Sequence, residues 1–202
     1  SPLAPRMNGR AFYDACLDVT WLADANLAAT LPLGVAGIGA DGSMPWTSAV
    51  AWVQALNTSA YLGKSDWRLP QVRPLNGSTY QLSGSDLDNH TGKLDLGFNI
   101  SAPGSRYAGS TANELAFLFY NQLGGLAAFA LDGSARTGVV NTFAPFANVA
   151  SDKNYWNYWT GTAYGSDGAY SFNFYGGGNG AYVTGWGFKV LALRDGDIGT
   201  AP

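Results

Sequence analysis

The feature that most constrains this chain is a run of aromatic segments separated by glycines in its carboxy-terminal part. The segments are YWNYWTGTAY (155–164), AYSFNFY (169–175) and AYVTGWGFKVLALR (181–194). In each, large apolar residues tend to recur at every second position, which places them on one face of a β-strand. The intervening GSDG and GGGNG stretches supply glycines, which adopt the positive φ that tight turns between antiparallel strands need. The pattern predicts an antiparallel meander, with the last segment a central strand because both of its faces are apolar.

A further strand is predicted near the amino terminus. Within AFYDACLDVTWLADAN (11–26), apolar residues at 17, 19 and 21 alternate with Asp18 and Thr20. This alternation is typical of a strand with one buried and one exposed face.

Two helices are predicted between these strand regions. The first begins after Ser43, with Pro45 in its first turn, where a missing N–H has no cost. Its apolar stripe has helical spacing and consists of Trp46, Ala49, Val50, Val53 and Leu56. The second begins with a capping box of Thr111 and Glu114 and ends at Gly124. Residues 71–109 are polar and aperiodic, so we expect a long irregular loop region there.

Together these elements indicate an α+β protein with two helices packed on a twisted antiparallel sheet and with long loops. A chain of 202 residues fits one domain. We expect a lead at 1–10, a single domain at 11–198 and a short tail at 199–202.

Charge and composition exclude several function classes. The net charge is −3, and the eleven basic residues are scattered singly, so no nucleic-acid-binding patch is expected. No apolar run approaches the 18 residues of a membrane span. Few charges, abundant small polar residues and many aromatic residues are typical of a secreted protein, which is the localisation we expect.

An ordered set of short motifs resembles a known family. The chain is similar to the Lcl C-terminal-domain family, formerly a domain of unknown function, and most closely to its PEP-CTERM-sorted secreted bacterial members. The resemblance covers about 11–198, and the motifs that carry it are LDVTWLADAN (17–26), DGSMPW (41–46), WRLP (67–70), NISAPGSRYAGSTANELAFLFYNQLG (99–124), YWTGTAY (158–164), FNF (172–174) and LRDGDI (193–198).

The resemblance implies a C-type-lectin-like fold and an extracellular, non-catalytic adhesion or binding module. Many relatives are oligomeric, so it also implies homo-oligomers or fibres. The family is named for a collagen-like adhesin that binds sulfated polysaccharides. Such polyanions require a basic surface, whereas this chain is acidic. Neutral glycans are therefore the carbohydrate partners to expect.

Arg68 lies between Trp67 and a Leu-Pro step in SDWRLPQ (65–71). Its planar guanidinium can bind a ligand, or it can satisfy loop carbonyls and an acidic side chain. Because its neighbours are core-like, we interpret Arg68 and Trp67 as structural. Arg194 is interpreted in the same way, with Asp195 or Asp197 as its partner.

The sequence does not favour catalysis. His90 and Cys16 are the only histidine and the only cysteine, and no nucleophile-elbow motif occurs. One of each cannot form the usual zinc ligand set. Next to strand residues, Cys16 is expected to be a small buried side chain.

Calcium is the one metal for which candidate ligands exist. Asp86, Asp88, Asn89 and Asp95 offer oxygen atoms within one loop. Their spacing does not match an EF-hand, and such residues also form ordinary turns. Both interpretations stay open.

Aromatic side chains are the candidate binding residues. Tyr155, Trp156, Tyr158, Tyr175 and Tyr182 lie in strands or turns, where about half of the rings face away from the core. Exposed rings would contact a polysaccharide or a second copy of the chain. Otherwise the loop 71–109 covers them.

We therefore predict a non-enzymatic surface or biofilm-matrix protein that acts by adhesion and self-association. The alternative is a lectin-like module for neutral glycans, with an enzyme as a distant third.

Overall fold

The computed structural model describes residues 3–151 and 157–200 of this α+β protein. In these residues, seven strands form two antiparallel sheets. The strands are β1 (Ala4–Arg6), β2 (Ala11–Asp14), β3 (Val19–Leu22), β4 (Asn157–Tyr164), β5 (Gly168–Asn173), β6 (Asn179–Val183) and β7 (Leu193–Asp195). The α-helices are α1 (Leu27–Thr30), α2 (Trp46–Thr58) and α3 (Glu114–Phe117), and α3 continues as a π-helix over Leu118–Gln122. None of the helices in the described residues has the length and apolar character needed to cross a bilayer.

The first sheet has the order β1-β2-β3-β7 and corrects two predictions. The expected lead at 1–10 contributes the edge strand β1. The single strand expected within 11–26 is a hairpin, because Asp14 Oδ1 accepts the N–H groups of Cys16 and Leu17 and turns the chain. All four residues of β3 are buried, since β3 is central, between β2 and β7.

The second sheet has the order β4-β5-β6 and forms the predicted meander only in part. The expected third strand, 181–194, is divided. Its beginning belongs to β6, and its end is β7 in the other sheet. The chain turns between them, with the N–H of Trp186 donating to Val183 O. The apolar character of 188–193 therefore reflects burial between the sheets, not a continuous strand.

The predicted first helix is confirmed as α2, whose buried residues are Ala49, Trp52, Val53 and Leu56. The expectation that Ser43 caps it is wrong, because Pro45 is the N-cap residue and the Ser43 hydroxyl donates to Asp41 Oδ1. The second differs from its prediction. Asn113, not Thr111, is the cap, and its side chain accepts the N–H of Ala116. Glu114 does not complete a capping box because its carboxylate binds Arg68 and the N–H of Gln71.

Two hydrophobic clusters lie on opposite faces of the second sheet. Tyr158 and Phe172 belong to the cluster that also contains α3, while Trp159 and Ala169 belong to the cluster that contains α2. The alternation of β4 and β5 thus separates the two cores.

The predicted irregular region at 71–109 contains a single short 3-10 turn, Asp88–His90, and no strand. Buried Asp95 organises it, since one carboxylate oxygen accepts the N–H of Leu75 and the other that of Gln81. Tyr80 from this region covers Tyr170 of β5, with ring centroids 5.3 Å apart. The sequence left open whether the loop 71–109 covers aromatic rings of the sheet. For Tyr170 it does.

Candidate aromatic surface

The clearest candidate site is a group of exposed apolar side chains at the end of β6. The exposed fractions are 38% for Tyr182, 49% for Val183 and 57% for Trp186. We call these three residues, with the adjoining ring of Phe188, the aromatic surface. The exposed rings of Tyr182 and Trp186 lie side by side, which makes them a candidate interaction site.

The rings of the aromatic surface contact one another. Tyr182 meets Phe188 edge-on at 5.2 Å, and its centroid is 6.1 Å from that of Trp186. Phe188 is buried and belongs to the α2 cluster. The exposed rings are therefore anchored on the core, which fixes their positions.

Glycines near the rings explain the local geometry. A Cβ at Gly180 would lie 2.7 Å from the Tyr182 ring, so only glycine lets that ring lie along the strand. Gly185 and Gly187 flank Trp186, and a Cβ at Gly185 would meet nothing within 4 Å. The indole therefore projects from an uncrowded turn.

The backbone beside the aromatic surface has a short open stretch of strand edge at Ala181. Asn179 exchanges both backbone hydrogen bonds with Gly97, so its polar groups point away from β5. By strand alternation, those of Ala181 also point away. Among the described residues, none forms a backbone hydrogen bond with this outward side of Ala181. Such an edge can pair with another chain.

The other predicted aromatic residues have different positions. Tyr175 is 55% exposed and lines a separate cleft of about 240 Å³ with Val140 and Phe143. Tyr158 is fully buried, so its assignment to an exposed surface is wrong. Its hydroxyl accepts the N–H of Ala150, and burial raises its pKa. Tyr155 and Trp156 lie outside the described residues.

Arg68 is the centre of a saturated ion-pair cluster. Its Nε and Nη2 donate to Asp195 Oδ1 at 3.1 and 2.6 Å, and its Nη1 and Nη2 donate to the two oxygens of Glu114 at 2.8 Å each. Nη1 also donates to Leu69 O. A guanidinium has five N–H donors, and these bonds use all of them. Burial alone would lower the pKa of Arg68, but its two carboxylate partners outweigh burial and raise it.

Trp67 and Arg194 support the same part of the fold. Trp67 is buried, and its indole N–H donates to Tyr61 O. Arg194 binds Asp66 through two parallel bonds of 2.8 and 2.7 Å, so the expectation of Asp195 or Asp197 as its hydrogen-bonding partner is wrong. Hydrogen bonding to Arg194 lowers the pKa of Asp66.

The structure does not bring the candidate calcium ligands together. Asp95 is buried and accepts two backbone N–H groups, and burial raises its pKa. Asp88 pairs with Lys93 at 2.8 Å, and Asp86 is exposed. Asn89 accepts the N–H of Phe98 with its backbone oxygen. Within residues 3–151 and 157–200, no three His, Cys, Asp or Glu side chains are placed to hold a metal ion.

His90 and Cys16 are in different environments. The His90 ring packs against the rings of Phe98 and Phe129, with centroid distances of 5.8 and 4.1 Å, and the two phenylalanine rings also contact each other. Cys16 is exposed, contrary to the expectation of a buried side chain, because it lies in the turn between β2 and β3.

Sequence reasoning missed Trp186 and Val183 as surface residues. Alternation along the predicted strand 181–194 places Trp186 on the same face as Phe188. The glycines on both sides of Trp186 were the available signal, since glycines at both neighbours favour a turn over a strand.

Comparison with family models found no match, and neither did comparison with curated proteins or with solved structures.

Proposed function

We propose that this protein is a non-enzymatic, extracellular bacterial surface or matrix protein that acts by adhesion and self-association. The proposal includes a C-type-lectin-like fold, as the resemblance to the Lcl C-terminal-domain family implies. The observation that carries it is the aromatic surface, where three large apolar side chains are exposed beside an open strand edge. Burial of such rings against a second copy removes apolar area from water and completes the edge.

The test is the size of the protein in solution. Light scattering after gel filtration, with negative-stain microscopy, should give particles larger than the 21.2 kDa monomer. Trp186→Ser removes the most exposed ring of the aromatic surface, and Val183→Lys places a charge on the edge strand, so both variants should be smaller. Tyr175→Ser is the matched control, because Tyr175 is equally exposed but lies elsewhere. A monomeric parent, or full assembly of both surface variants, contradicts the proposal.

A second candidate function is binding of neutral glycans, with or without calcium. The observation that favours it is the accessible indole of Trp186, which glycines flank on both sides. Sugar rings stack on such aromatic faces through their apolar C–H groups. A lectin stays small and is retarded in polysaccharide-containing gels, whereas a self-associating protein is large without a ligand. Loss of retardation in Trp186→Ser, with a monomeric parent, favours the glycan.

A further inference from the structure

A polar cleft lies beside the Arg68 cluster, away from the aromatic surface. It has a volume of about 260 Å³, and its polar lining includes Arg68, Glu114, Asp195, Gln71 and Arg73. Cys16 lies at its wall. Neither Tyr182 nor Trp186 contributes to it.

The floor of this cleft is rigid, because Arg68 and Glu114 are satisfied by each other and by the surrounding backbone. All five guanidinium donors of Arg68 are used within the protein. Glu114 Oε2 also accepts the N–H of Gln71 at 2.7 Å. A ligand therefore cannot recruit Arg68, but it meets a surface whose shape is fixed.

Three side chains retain groups for a ligand. Asp195 is 77% exposed at its side chain, and no described residue donates to its Oδ2. The Gln71 side chain is exposed, and within the described residues its amide has no hydrogen-bond partner. Arg73 is exposed and uses Nη2 for Thr111 O at 3.1 Å. The cleft thus offers an acceptor, an amide that both donates and accepts, and a donor.

The charges that line the cleft balance. Two guanidinium groups, of Arg68 and Arg73, face two carboxylates, of Glu114 and Asp195. An anion would be repelled by the open oxygen of Asp195, and a cation by Arg73. A ligand that is polar but uncharged, and that both donates and accepts, fits both conditions. Because the lining has little apolar surface, an apolar anchor of a peptide has no place there.

A second cleft of about 290 Å³ adjoins the first, since Arg68 and Gln71 line both. Its other lining residues include Val50, Trp67 and Leu69. A sugar unit has polar hydroxyl groups at its edge and apolar C–H groups on its ring faces. Neighbouring units of one oligosaccharide can therefore occupy a polar cleft and an adjoining apolar cleft. We propose that the paired clefts on either side of the Arg68–Gln71 segment bind a short stretch of a neutral oligosaccharide. This site is independent of the aromatic surface, so each proposal can fail alone.

Cys16 is the reporter for the test, because it is the only cysteine of the chain and lines the polar cleft. Its rate of alkylation by iodoacetamide is measured with maltotriose, cellotriose or tri-N-acetylchitotriose, and with trigalacturonic acid as the anionic probe. At least one neutral trisaccharide should slow alkylation, by about tenfold when its concentration is ten times its dissociation constant. Trigalacturonic acid should have little effect.

Variants locate the protection. In Gln71→Ala and Arg73→Ala, the alkylation rates with and without the trisaccharide are compared within each variant, and the protection should be lost. Trp186→Ser should retain full protection, which separates this site from the aromatic surface. The proposal is overturned if no neutral trisaccharide slows the reaction, if the anionic probe protects more strongly, or if both cleft variants are protected like the parent.

Discussion

The Arg68 cluster and the aromatic surface differ in how completely their side chains are satisfied. Arg68 combines charge, partial burial and a position beside a cleft, yet every donor it has is bonded inside the protein. Trp186 and Val183 carry no charge, yet much of their apolar area faces water. Arg68 itself has no donor left to offer a ligand, whereas the aromatic surface gains free energy when it is covered. The two regions therefore differ in how much of their surface is still available to a partner, not in chemical reactivity.

Replacement of Arg68 should have the largest effect on stability. Arg68→Met leaves Glu114, which is 5% exposed, without its charge partner. Loss of one partner of such a pair should lower the free energy of unfolding by about 3 kcal/mol. Urea denaturation measures it, and a second change, Glu114→Leu, should recover part of the loss because the unpaired carboxylate is removed.

Arg6→Met is the matched control for that variant. Arg6 also binds an aspartate, Asp197, through two bonds of 2.7 Å, but this pair lies at the surface. Its loss should cost far less than the loss of Arg68, because water screens an exposed pair. Equal effects of the two variants would contradict the view that Arg68 is a buried structural group.

The cap of α3 gives a smaller effect. Asn113 accepts the N–H of Ala116, so Asn113→Ala should lower the free energy of unfolding by about 1 kcal/mol. Thr111→Ala should have almost no effect, because Thr111 is not the cap. A larger effect of Thr111→Ala than of Asn113→Ala in urea denaturation would support the predicted capping box of Thr111 and Glu114. It would contradict the pairing of Glu114 with Arg68.

Acid titration tests the surface pair of Asp88 and Lys93. Hydrogen bonding to Lys93 lowers the pKa of Asp88 to about 2. The ordinary value is about 3.9, so the ionised folded form is favoured above that pH. The stability that this pair contributes should be complete above about pH 4 and lost as the pH falls towards 2. Asp88→Asn should flatten this part of the stability profile, whereas Asp86→Asn at the exposed neighbour should leave it unchanged.

The aromatic surface should contribute least to stability. Trp186→Ser should change the free energy of unfolding by less than about 0.5 kcal/mol, because the side chain is largely exposed. A large loss in urea denaturation of the monomeric variant would mean that the ring is part of the core, and the contrast with Arg68 would fail.

The elements that the sequence predicted correctly depend on local signals. Helix α2 follows from its apolar stripe, and the strands β4 and β5 from alternation between glycine turns. The errors arise where one side chain serves a distant partner. The local sequence predicts that Glu114 completes a capping box. In the structure its carboxylate binds Arg68, which is 46 residues away. The residues next to Glu114 in the sequence therefore could not predict its pairing with Arg68.

The candidate site was predicted for residue type but not for position. Alternation identified Tyr182 and the aromatic character of this region. It could not distinguish a strand that continues from one that turns and crosses to another sheet, as the chain does between β6 and β7. Trp186 lies at that turn, so its exposure depends on tertiary structure. The buried position of Tyr158 has the same origin, since both faces of β4 are covered over its first four residues.

The strand β7 also determines when the first sheet can be completed. It completes the sheet by pairing with β3, and the hydroxyl of Thr20 bonds Gly196 across 176 residues of chain. Arg68 likewise gains its partner Asp195 only when β7 is present. A ribosome-bound chain that lacks β7 has only β2 beside Trp21 and does not have the full Arg68 cluster. The first sheet and the Arg68 cluster therefore cannot be completed before residues 193–195 have been synthesised, and until then this edge of β3 has no partner.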